Sequence, residues 1–266
     1  MTGVQTCALP ICSDSGGGAG IQADLKTFGA LGVFGTSAIT AVTAQNTLAV
    51  TRIQEIDADV VAAQIDAVAE DIGVDAAKTG MLASTRILEA VAAALKRQRV
   101  PNLVVDPVMV AKSGARLLKE EAFAALKTRL LPLAEIVTPN IPEAEVLSGR
   151  KISDAETMRD AARRILDLGP ARVVIKGGHS DGPNVVDLYY DGKNFEELKA
   201  ERVQTRSTHG TGCTFSAAIA AYLAHGLPPL DAVARAKEFL TAALQASPGI
   251  GKGIGPVNHF HAFHKA

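Results

Sequence analysis

Short apolar runs alternate with segments of helical periodicity from about residue 36 onward. The runs at 103–106, 135–138 and 172–176 have apolar centres, and each leads into Pro or Gly. Continuous apolar runs are typical of parallel strands that are buried on both faces, and helices between them provide the crossovers. We therefore expect an α/β fold with a central, mostly parallel sheet flanked by helices.

Capping residues predict where several helices begin. Asp59 and Ser84 each precede a stripe of apolar residues at helical spacing. Ser153 and Glu156 match the capping-box pattern before another helix, which Gly169-Pro170 ends. These positions fit helices that cross over between the predicted strands.

The last third of the chain has a different pattern. Residues 185–190 and a second arm near Phe195 flank a turn at Asp191-Gly192, which predicts a β-hairpin. Two helices are predicted after it, at 212–224 and 229–246. We find no long linker, repeat or low-complexity block, so residues 1–266 are predicted to form a single domain.

Composition and charge exclude some classes of function. The chain has 266 residues, of which 47% are hydrophobic, and this is enough for one large core. A formal net charge of −1 provides no global field that would attract nucleic acid or an anionic membrane. Any phosphate must therefore bind locally, through backbone amides and a few lysines.

Membrane insertion and secretion are not predicted either. No apolar run approaches the roughly 20 residues of a membrane span. The cysteines, Cys7, Cys12 and Cys213, are odd in number, and no secretory signal precedes them. This pattern predicts free thiols in a cytoplasmic protein.

The strongest local motif is the segment 207–214, Ser-Thr-His-Gly-Thr-Gly-Cys-Thr, which leads into an Ala-rich helix. Gly210 and Gly212 allow a tight turn, and the free N–H groups and dipole of a helix start attract anions. Phosphoryl transfer needs such a donor cluster. We expect the same dipole to lower the pKa of Cys213 below about 8.5 and to make it a candidate base. The alternative is a plain glycine-rich loop with a small buried Cys.

A second glycine-rich segment, 13–26, opens an early helix that carries Gln22 and Asp24. It matches neither the Walker A pattern nor GxGxxG, so a flexible turn is an equal alternative.

Two carboxylates follow predicted strands. Asp106 ends one strand, and Glu143 lies in Thr-Pro-Asn-Ile-Pro-Glu at 138–143. A Mg²⁺ ion bound to a nucleotide usually takes one or two protein carboxylates, so this pair is a candidate metal site. The alternative is that Glu143 only complements a helix N-terminus.

Further polar residues are candidates with ordinary alternatives. Lys176 ends a strand before two glycines and can reach a phosphate as a point charge. Lys237 lies in a helix and is an ordinary solvated lysine unless the fold brings it to the site. Gln45 closes an apolar run, where its amide can pair with a heterocycle or cap the strand. For His259, His261 and His264, a terminal tail is favoured over a metal cluster.

A resemblance to one known family runs from about Ser13 to the end of the chain. The matching blocks, in order, are SDSGGGAGIQADLKTF, ITAVTAQNT, KTGMLAS, VVDPVMVAKSG, TPNIPEAE, VIKGGH, STHGTGCTFSAAIAAYLAHG and GIGPVNHFH. Together they resemble the bifunctional hydroxymethylpyrimidine and phosphomethylpyrimidine kinases of thiamin biosynthesis, which belong to the ribokinase-like superfamily. Several such blocks in the right order are far more specific than any one of them.

The resemblance implies a reaction and its partners. It implies ATP-dependent phosphorylation of 4-amino-5-hydroxymethyl-2-methylpyrimidine, first to the monophosphate and then to the diphosphate. ATP and Mg²⁺ are the implied cofactors, and a homodimer is the implied assembly.

The resemblance also implies roles for individual residues. Gly210, Thr211 and Gly212 would form the anion hole, with Cys213 as the base. The pyrimidine pocket would use Ala19, Asp24, Gln45, Met81 and Val108. Asp106 and Glu143 would organise the metal, and Asn140, Lys176, Thr208 and Lys237 would surround the nucleotide.

The first twelve residues depart from the family. An apolar strand is expected there, whereas this chain has MTGVQTCALPIC, with Pro10 in the strand and Cys12 where the family has glycine. Proline lacks the N–H that a central strand needs. We expect a weakened first strand, and we interpret residues 1–12 as an artefact.

Three alternatives remain beside the pyrimidine kinase. A pyridoxal or pyridoxine kinase of the same fold would act on a similar hydroxymethylated heterocycle. A catalytically silent pyrimidine-binding module is disfavoured by the phosphate-binding motif. A dinucleotide-binding oxidoreductase is disfavoured because no strand–GxGxxG–helix unit is present.

Overall fold

The computed structural model describes residues 4–8, 10–109, 120–178 and 182–263. Its strands are β1 (Thr6–Ala8), β2 (Pro10–Asp14), β3 (Phe34–Gly35), β4 (Ala38–Gln45), β5 (Val50–Glu55), β6 (Ala76–Thr79), β7 (Leu103–Val105), β8 (Ile136–Val137), β9 (Val173–Ile175), β10 (Asn184–Tyr190) and β11 (Phe195–Glu201). Its α-helices are α1 (Gly20–Ala30), α2 (Ala58–Asp71), α3 (Thr85–Arg97), α4 (Glu120–Ala125), α5 (Ile141–Ser148), α6 (Ala155–Leu166), α7 (Thr211–Ala224) and α8 (Pro229–Gln245). A π-helical turn, Leu126–Leu130, and a 3₁₀ turn, Leu131–Leu133, continue α4.

The main sheet has eight strands in the order β11-β10-β9-β8-β7-β6-β1-β3. The six neighbouring strands β3, β1, β6, β7, β8 and β9 pair in parallel. The hairpin β10–β11 adds two antiparallel strands at one edge. The predicted α/β class, the parallel order and the hairpin are therefore confirmed.

Alternation along the central strands explains why both faces of the sheet are covered. Val105 and Val137 point to a core formed with α2 to α6, whereas Val104 and Ile136 point to a core formed with α1, α7 and α8. All four are completely buried. Because successive side chains of a strand point to opposite faces, a strand between two helical layers is mostly apolar on both.

A second, smaller sheet has the order β2-β4-β5. β2 and β4 are parallel, and β4 and β5 are antiparallel. Several of its apolar side chains, including Val42 and Ile53, are exposed. β4 ends at Gln45, so the small sheet positions one of the predicted substrate contacts.

The N-terminal residues take part in both sheets. β1 lies between β3 and β6 in the main sheet, and Cys7 is fully buried. Pro10 begins β2, which is an outer strand of the small sheet, and these are positions where proline is tolerated. Two short strands thus replace the single strand expected here. The interpretation of residues 1–12 as an artefact stays a prediction.

Two predicted helix starts were wrong by one or two residues. Asp154 caps α6 in place of Ser153: its carboxylate accepts from the Thr157 N–H at 2.8 Å. The Thr157 hydroxyl, not Glu156, completes the capping box. A carboxylate at a helix start also gains from the dipole, which favours Asp154 over the neighbouring hydroxyl. In α2, Asp57 occupies the cap and Asp59 lies in the first turn.

Some predictions fall on other parts of the chain. The 110–114 part of the VVDPVMVAKSG block, His179 and His264 lie outside the described residues. Among the described residues, no helix combines the length and the apolar character needed to cross a bilayer.

Candidate active site

A cavity of about 1200 Å³ lies at the carboxyl edge of the parallel strands. Every residue proposed for the site except Asp24 lines it: Ala19, Gln45, Met81, Asp106, Val108, Asn140, Glu143, Lys176, Thr208, Gly210, Thr211, Gly212, Cys213 and Lys237. Open α/β sheets bind ligands at this edge because loops and helix N-termini converge there. The fold therefore brings together residues that are up to 218 positions apart in the chain (237 − 19).

The start of α7 forms one end of the cavity. Gly210 is its N-cap and has φ 77°, and a Cβ at this position would overlap the carbonyl oxygen of Gly18. Only glycine accepts both this backbone conformation and this approach. The N–H groups of the first turn of α7 are thereby presented where an anion can bind.

Cys213 lies in that first turn. The backbone N–H of Gly20, the first residue of α1, donates to its sulfur, so two helix N-termini approach the thiol. The predicted lowering of its pKa was wrong. Burial, reinforced by the carboxylates of Asp24 and Asp106, raises the pKa of Cys213 to about 11. The Lys78 ammonium opposes this rise but does not cancel it, because removing a thiolate from water costs more than these contacts return.

Lys176 and Asp106 form an ion pair beside the start of α7. The Lys176 Nζ to Asp106 Oδ1 distance is 2.8 Å. A Cβ on Gly212 would lie 3.4 Å from both side chains, so the glycine backbone packs directly against the pair. Burial alone would lower the pKa of Lys176, but the carboxylates of Asp106 and Glu143 raise it above its ordinary value. The lysine is therefore a fixed positive charge at the anion end.

Glu143 has two functions in this arrangement. It completes the capping box of α5 with Asn140: each side chain accepts from the other residue's backbone N–H, at 2.8 and 2.9 Å. Glu143 therefore complements the start of α5, and its role as a metal ligand stays a prediction. Its burial, together with the charge of Asp106, also raises the pKa of Glu143 to about 7. The positive charge of Lys176 is therefore too little to offset the burial of the Glu143 carboxylate.

The surroundings of Asp106 and Glu143 indicate what kind of metal site these two carboxylates could form. The two carboxylates influence each other's charge, and Lys176 lies against both. Two carboxylates are too few ligands for a cation held by protein alone, and the Lys176 ammonium cannot coordinate one. The two carboxylates suit a Mg²⁺ ion that takes most of its ligands from nucleotide phosphates and water.

Lys237 reaches the site from α8. Its Nζ lies 2.7 Å from Asp187 Oδ2, and Asp187 Oδ1 accepts from the Gly177 N–H at 2.8 Å. The lysine is thus no solvated surface residue: it is 7% exposed and anchors the turn that follows Lys176.

A second part of the cavity lining, next to the start of α7, includes apolar side chains. Met81 and Val108 contribute apolar side chains, and Ala19 precedes α1. Gln45 supplies a polar group from the last position of β4. Ser15 holds its backbone, because the Ser15 hydroxyl bonds both the N–H and the C=O of Gln45 at 2.8 Å.

The predicted place of Asp24 is corrected by the structure. Asp24 does not line the cavity; it is fully buried in α1, where Oδ2 lies 2.9 Å from Nζ of the equally buried Lys78. A carboxylate so deep needs a counter-ion, and Lys78 provides it. Asp24 Oδ1 has no hydrogen-bond partner among the described residues. That free acceptor lies close enough to Cys213 to influence its charge.

Two residues at the site were quoted in the motifs but given no role by the sequence. Asp14 is 1% exposed, and its carboxylate accepts from the N–H groups of Gly16, Gly18 and Ala19 at 2.8–3.1 Å. His209 Nε2 lies 2.8 Å from Asp14 Oδ2. The pair joins the two glycine-rich segments, which are 195 positions apart. Asp14 and His209 each stand next to a glycine-rich segment, which marked them as candidate site residues, but nothing in the sequence indicated that they contact each other.

Comparison with known proteins identifies the family. The model of the family described as phosphomethylpyrimidine kinase matches residues 14–258. The chain belongs to the phosphomethylpyrimidine kinase family. A hydroxymethylpyrimidine/phosphomethylpyrimidine kinase from Rhizobium meliloti is 52% identical over 256 residues, which cover 95% of this chain and 96% of that protein.

Two further proteins are similar to this chain over most of its length. The thiamine biosynthesis bifunctional protein ThiED of Geobacter sulfurreducens is 54% identical over 94% of this chain, which spans about half (51%) of that longer protein. A crystal structure of an ADP complex of Bacillus subtilis pyridoxal kinase superposes with a TM-score of 0.91. Its sequence identity is 41%, and the match covers 98% of this chain and 99% of that one. The ribokinase-like fold implied by the phosphomethylpyrimidine kinase resemblance is therefore confirmed.

Proposed function

We propose that this protein is an ATP-dependent kinase that phosphorylates 4-amino-5-hydroxymethyl-2-methylpyrimidine to its monophosphate and then to its diphosphate. One observation carries the proposal: a single cavity joins the start of α7 and the Lys176–Asp106 pair to a part of the lining where apolar side chains surround the Gln45 amide. The first part suits a triphosphate, and the second suits a flat heterocycle.

The residues support a division of labour in the first step. The substrate hydroxyl oxygen bonds to the γ-phosphorus of ATP while the bond from that phosphorus to ADP breaks. The N–H groups at the start of α7 and the ammonium of Lys176 stabilise the charge on the transferring oxygens. Cys213 is proposed to take the hydroxyl proton in its thiolate form, which the raised pKa makes a minor form near pH 7 but a strong base. Mg²⁺, held by Asp106 and Glu143 together with the phosphates, would neutralise phosphate charge.

A pyridoxal kinase is the second candidate. It is favoured by the 41% identity and the TM-score of 0.91 to the Bacillus subtilis pyridoxal kinase. The 52% identity to the Rhizobium relative over nearly its full length favours the pyrimidine. We also propose a cytoplasmic location and a homodimer, the latter testable by sedimentation.

Mass spectrometry of the products tests the function. Purified protein is incubated with Mg-ATP and the hydroxymethylpyrimidine, and with pyridoxal in parallel. We expect the mono- and the diphosphorylated pyrimidine in sequence. Phosphorylation of pyridoxal alone would favour the second candidate, and no product from either would contradict a kinase.

A further inference from the structure

The last matching block of the sequence, GIGPVNHFH at 253–261, has no role in the proposed phosphoryl transfer. Its residues do not form a free tail. The Ile254 N–H donates to the Thr47 carbonyl at 2.9 Å, and the Asn258 N–H donates to the Ala243 carbonyl at 3.0 Å. This C-terminal segment therefore joins the loop after β4 to α8.

The segment also holds the glycine-rich turn at the start of α7 from both sides. Before the turn, the Gly255 carbonyl accepts from the His209 N–H at 2.9 Å. After the turn, His259 Nε2 lies 3.1 Å from the Thr214 hydroxyl oxygen. The residues between these contacts, 210–213, include two glycines, which have more backbone freedom than other residues. Two contacts that bracket the turn restrict that freedom.

The contact between His259 and Thr214 is buried. His259 is 4% exposed, and Thr214 is fully buried. Burial lowers the pKa of His259 to about 4, and the charges of Lys26 and His261 act in the same direction. The imidazole is therefore neutral near pH 7, and a hydroxyl can donate to it or accept from it in either tautomer. Removing one partner leaves the other polar group buried without this hydrogen bond, which costs more than the bond itself contributes.

Thr214 connects this contact to the phosphate-binding turn. Its backbone N–H donates to the Gly210 carbonyl at 2.8 Å and closes the first turn of α7. The N–H groups that precede it at the helix start are those offered to an anion. A side chain held at position 214 therefore restrains the direction in which these donors point. Donors to a transferring phosphoryl group are most effective when they are fixed before the reaction begins.

We propose that His259 is a positioning residue for phosphoryl transfer, which holds the first turn of α7 through the Thr214 hydroxyl. The inference rests on the proposed function and deepens it. His259 does not line the cavity, so its effect on the reaction passes through α7.

Kinetics of matched variants test the inference. His259→Met removes the hydrogen bond, whereas His259→Gln, a side chain of similar length, keeps a polar group facing Thr214. In His259→Met we expect kcat for the hydroxymethyl and the phosphomethyl substrate to fall by about 10- to 100-fold, the range for reacting groups misplaced by up to about 1 Å. KM for either pyrimidine should stay unchanged, because the lost interaction acts in the transition state. His259→Gln should recover most of the turnover.

A double-mutant cycle tests whether His259 acts through Thr214. Thr214→Val keeps the shape of the side chain, removes the hydroxyl and should lower kcat as much as His259→Met does. The double variant should be no slower than either single variant, since both changes remove one contact. Losses that multiply in the double variant would overturn the inference, and so would wild-type kcat in a His259→Met protein that circular dichroism shows to be folded.

His261→Met is the matched control. It makes the same substitution two residues further along the segment, where the ring packs against Phe239 with 4.9 Å between the ring centroids. It should leave kcat unchanged. An equal loss of kcat in His259→Met and His261→Met would indicate a general loosening of the segment and would overturn the inference.

Hydrogen exchange measured by mass spectrometry tests the anchoring without any substrate. In folded Thr214→Val we expect faster exchange than in wild type in peptides that cover 208–214, and no change in peptides that cover 218–224. Unchanged exchange at 208–214 would overturn the inference. If the wild type phosphorylates neither pyrimidine, the proposed function fails instead, and the exchange rates still decide whether this contact holds the turn.

Discussion

The two ends of the cavity are built in different ways. The anion end consists of backbone N–H groups at the start of α7 and of charged side chains fixed by ion pairs, such as Lys176–Asp106. The part proposed to hold the heterocycle combines apolar side chains, such as Met81 and Val108, with polar groups that include Gln45 at the end of β4. The first end rests on a sheet covered on both faces, and the second on a sheet with exposed apolar residues.

This difference separates catalysis from recognition. Backbone donors do not change with side-chain rotation, so they suit a charge distribution that is the same for every phosphoryl transfer. Side chains such as Gln45 and Met81 differ in this respect, because one substitution changes what each presents to a ligand. We therefore expect changes at the anion end to lower the rate for all substrates, and changes at the other end to alter selectivity.

Gly210→Ala is expected to have the largest effect, because it disturbs the start of α7. The substitution forces a Cβ into the Gly18 carbonyl at a backbone φ of 77°. We expect kcat/KM for every substrate to fall by about 10³-fold or more, because the donors of α7 would move. Steady-state kinetics measure this, and circular dichroism shows whether the protein still folds.

Gly226→Ala is the matched control, since it lies just after α7, has φ 82° and meets nothing within 4 Å. It should cost stability of about 1 kcal/mol and leave kcat/KM unchanged. Equal losses of activity in the two variants would contradict the specific role of Gly210.

Replacing Cys213, the candidate base, is expected to affect the two phosphorylation steps unequally. Cys213→Ala should lower the rate of the first phosphorylation by about 10²- to 10⁴-fold. The second step should suffer less, because a phosphate acceptor is already largely ionised near pH 7, with a second pKa of about 6. Single-turnover assays on the hydroxymethyl and the phosphomethyl substrates measure the two steps separately.

Cys7→Ala removes a buried thiol far from the cavity and serves as the control. Cys7 contacts the Ala220 carbonyl, so the variant should lose some stability and keep the ratio of the two rates. A Cys213→Ala enzyme with full first-step turnover would show that Cys213 is not the base.

The smallest expected effect concerns Glu143 and pH. Its raised pKa of about 7 means that the folded state binds this proton more tightly than the unfolded chain does. The stability this contributes is present at low pH and is lost as pH rises through 7. Glu143→Gln keeps the capping box and cannot ionise. We therefore expect the variant to gain on the order of 1–3 kcal/mol relative to wild type between pH 5 and 8.

Denaturant unfolding at several pH values measures this difference. Glu145→Gln on the same helix is the control, because hydrogen bonds from Ile152 and Lys151 lower the pKa of Glu145 and predict the opposite sign. Parallel pH profiles for wild type and Glu143→Gln would contradict the raised pKa.

The sequence by itself determined much of this protein. Apolar runs such as 103–105 predicted the buried parallel strands, because a strand covered on both faces has few polar positions. The glycines at 210 and 212 predicted a tight turn into a helix start, since the positive φ of Gly210 is a local property of the backbone. Thirteen further residues, chosen from motifs and family resemblance, line the same cavity as Gly210.

Only the tertiary structure decided the rest, since those properties depend on groups far apart in the chain. Burial beside Asp24 and Asp106 raises the pKa of Cys213, although the local helix dipole predicted the reverse. Lys78 holds Asp24 behind the cavity, 54 positions away along the chain. The Asp14–His209 contact spans 195 positions, and no local pattern encodes a pair that exists only after the sheets have assembled.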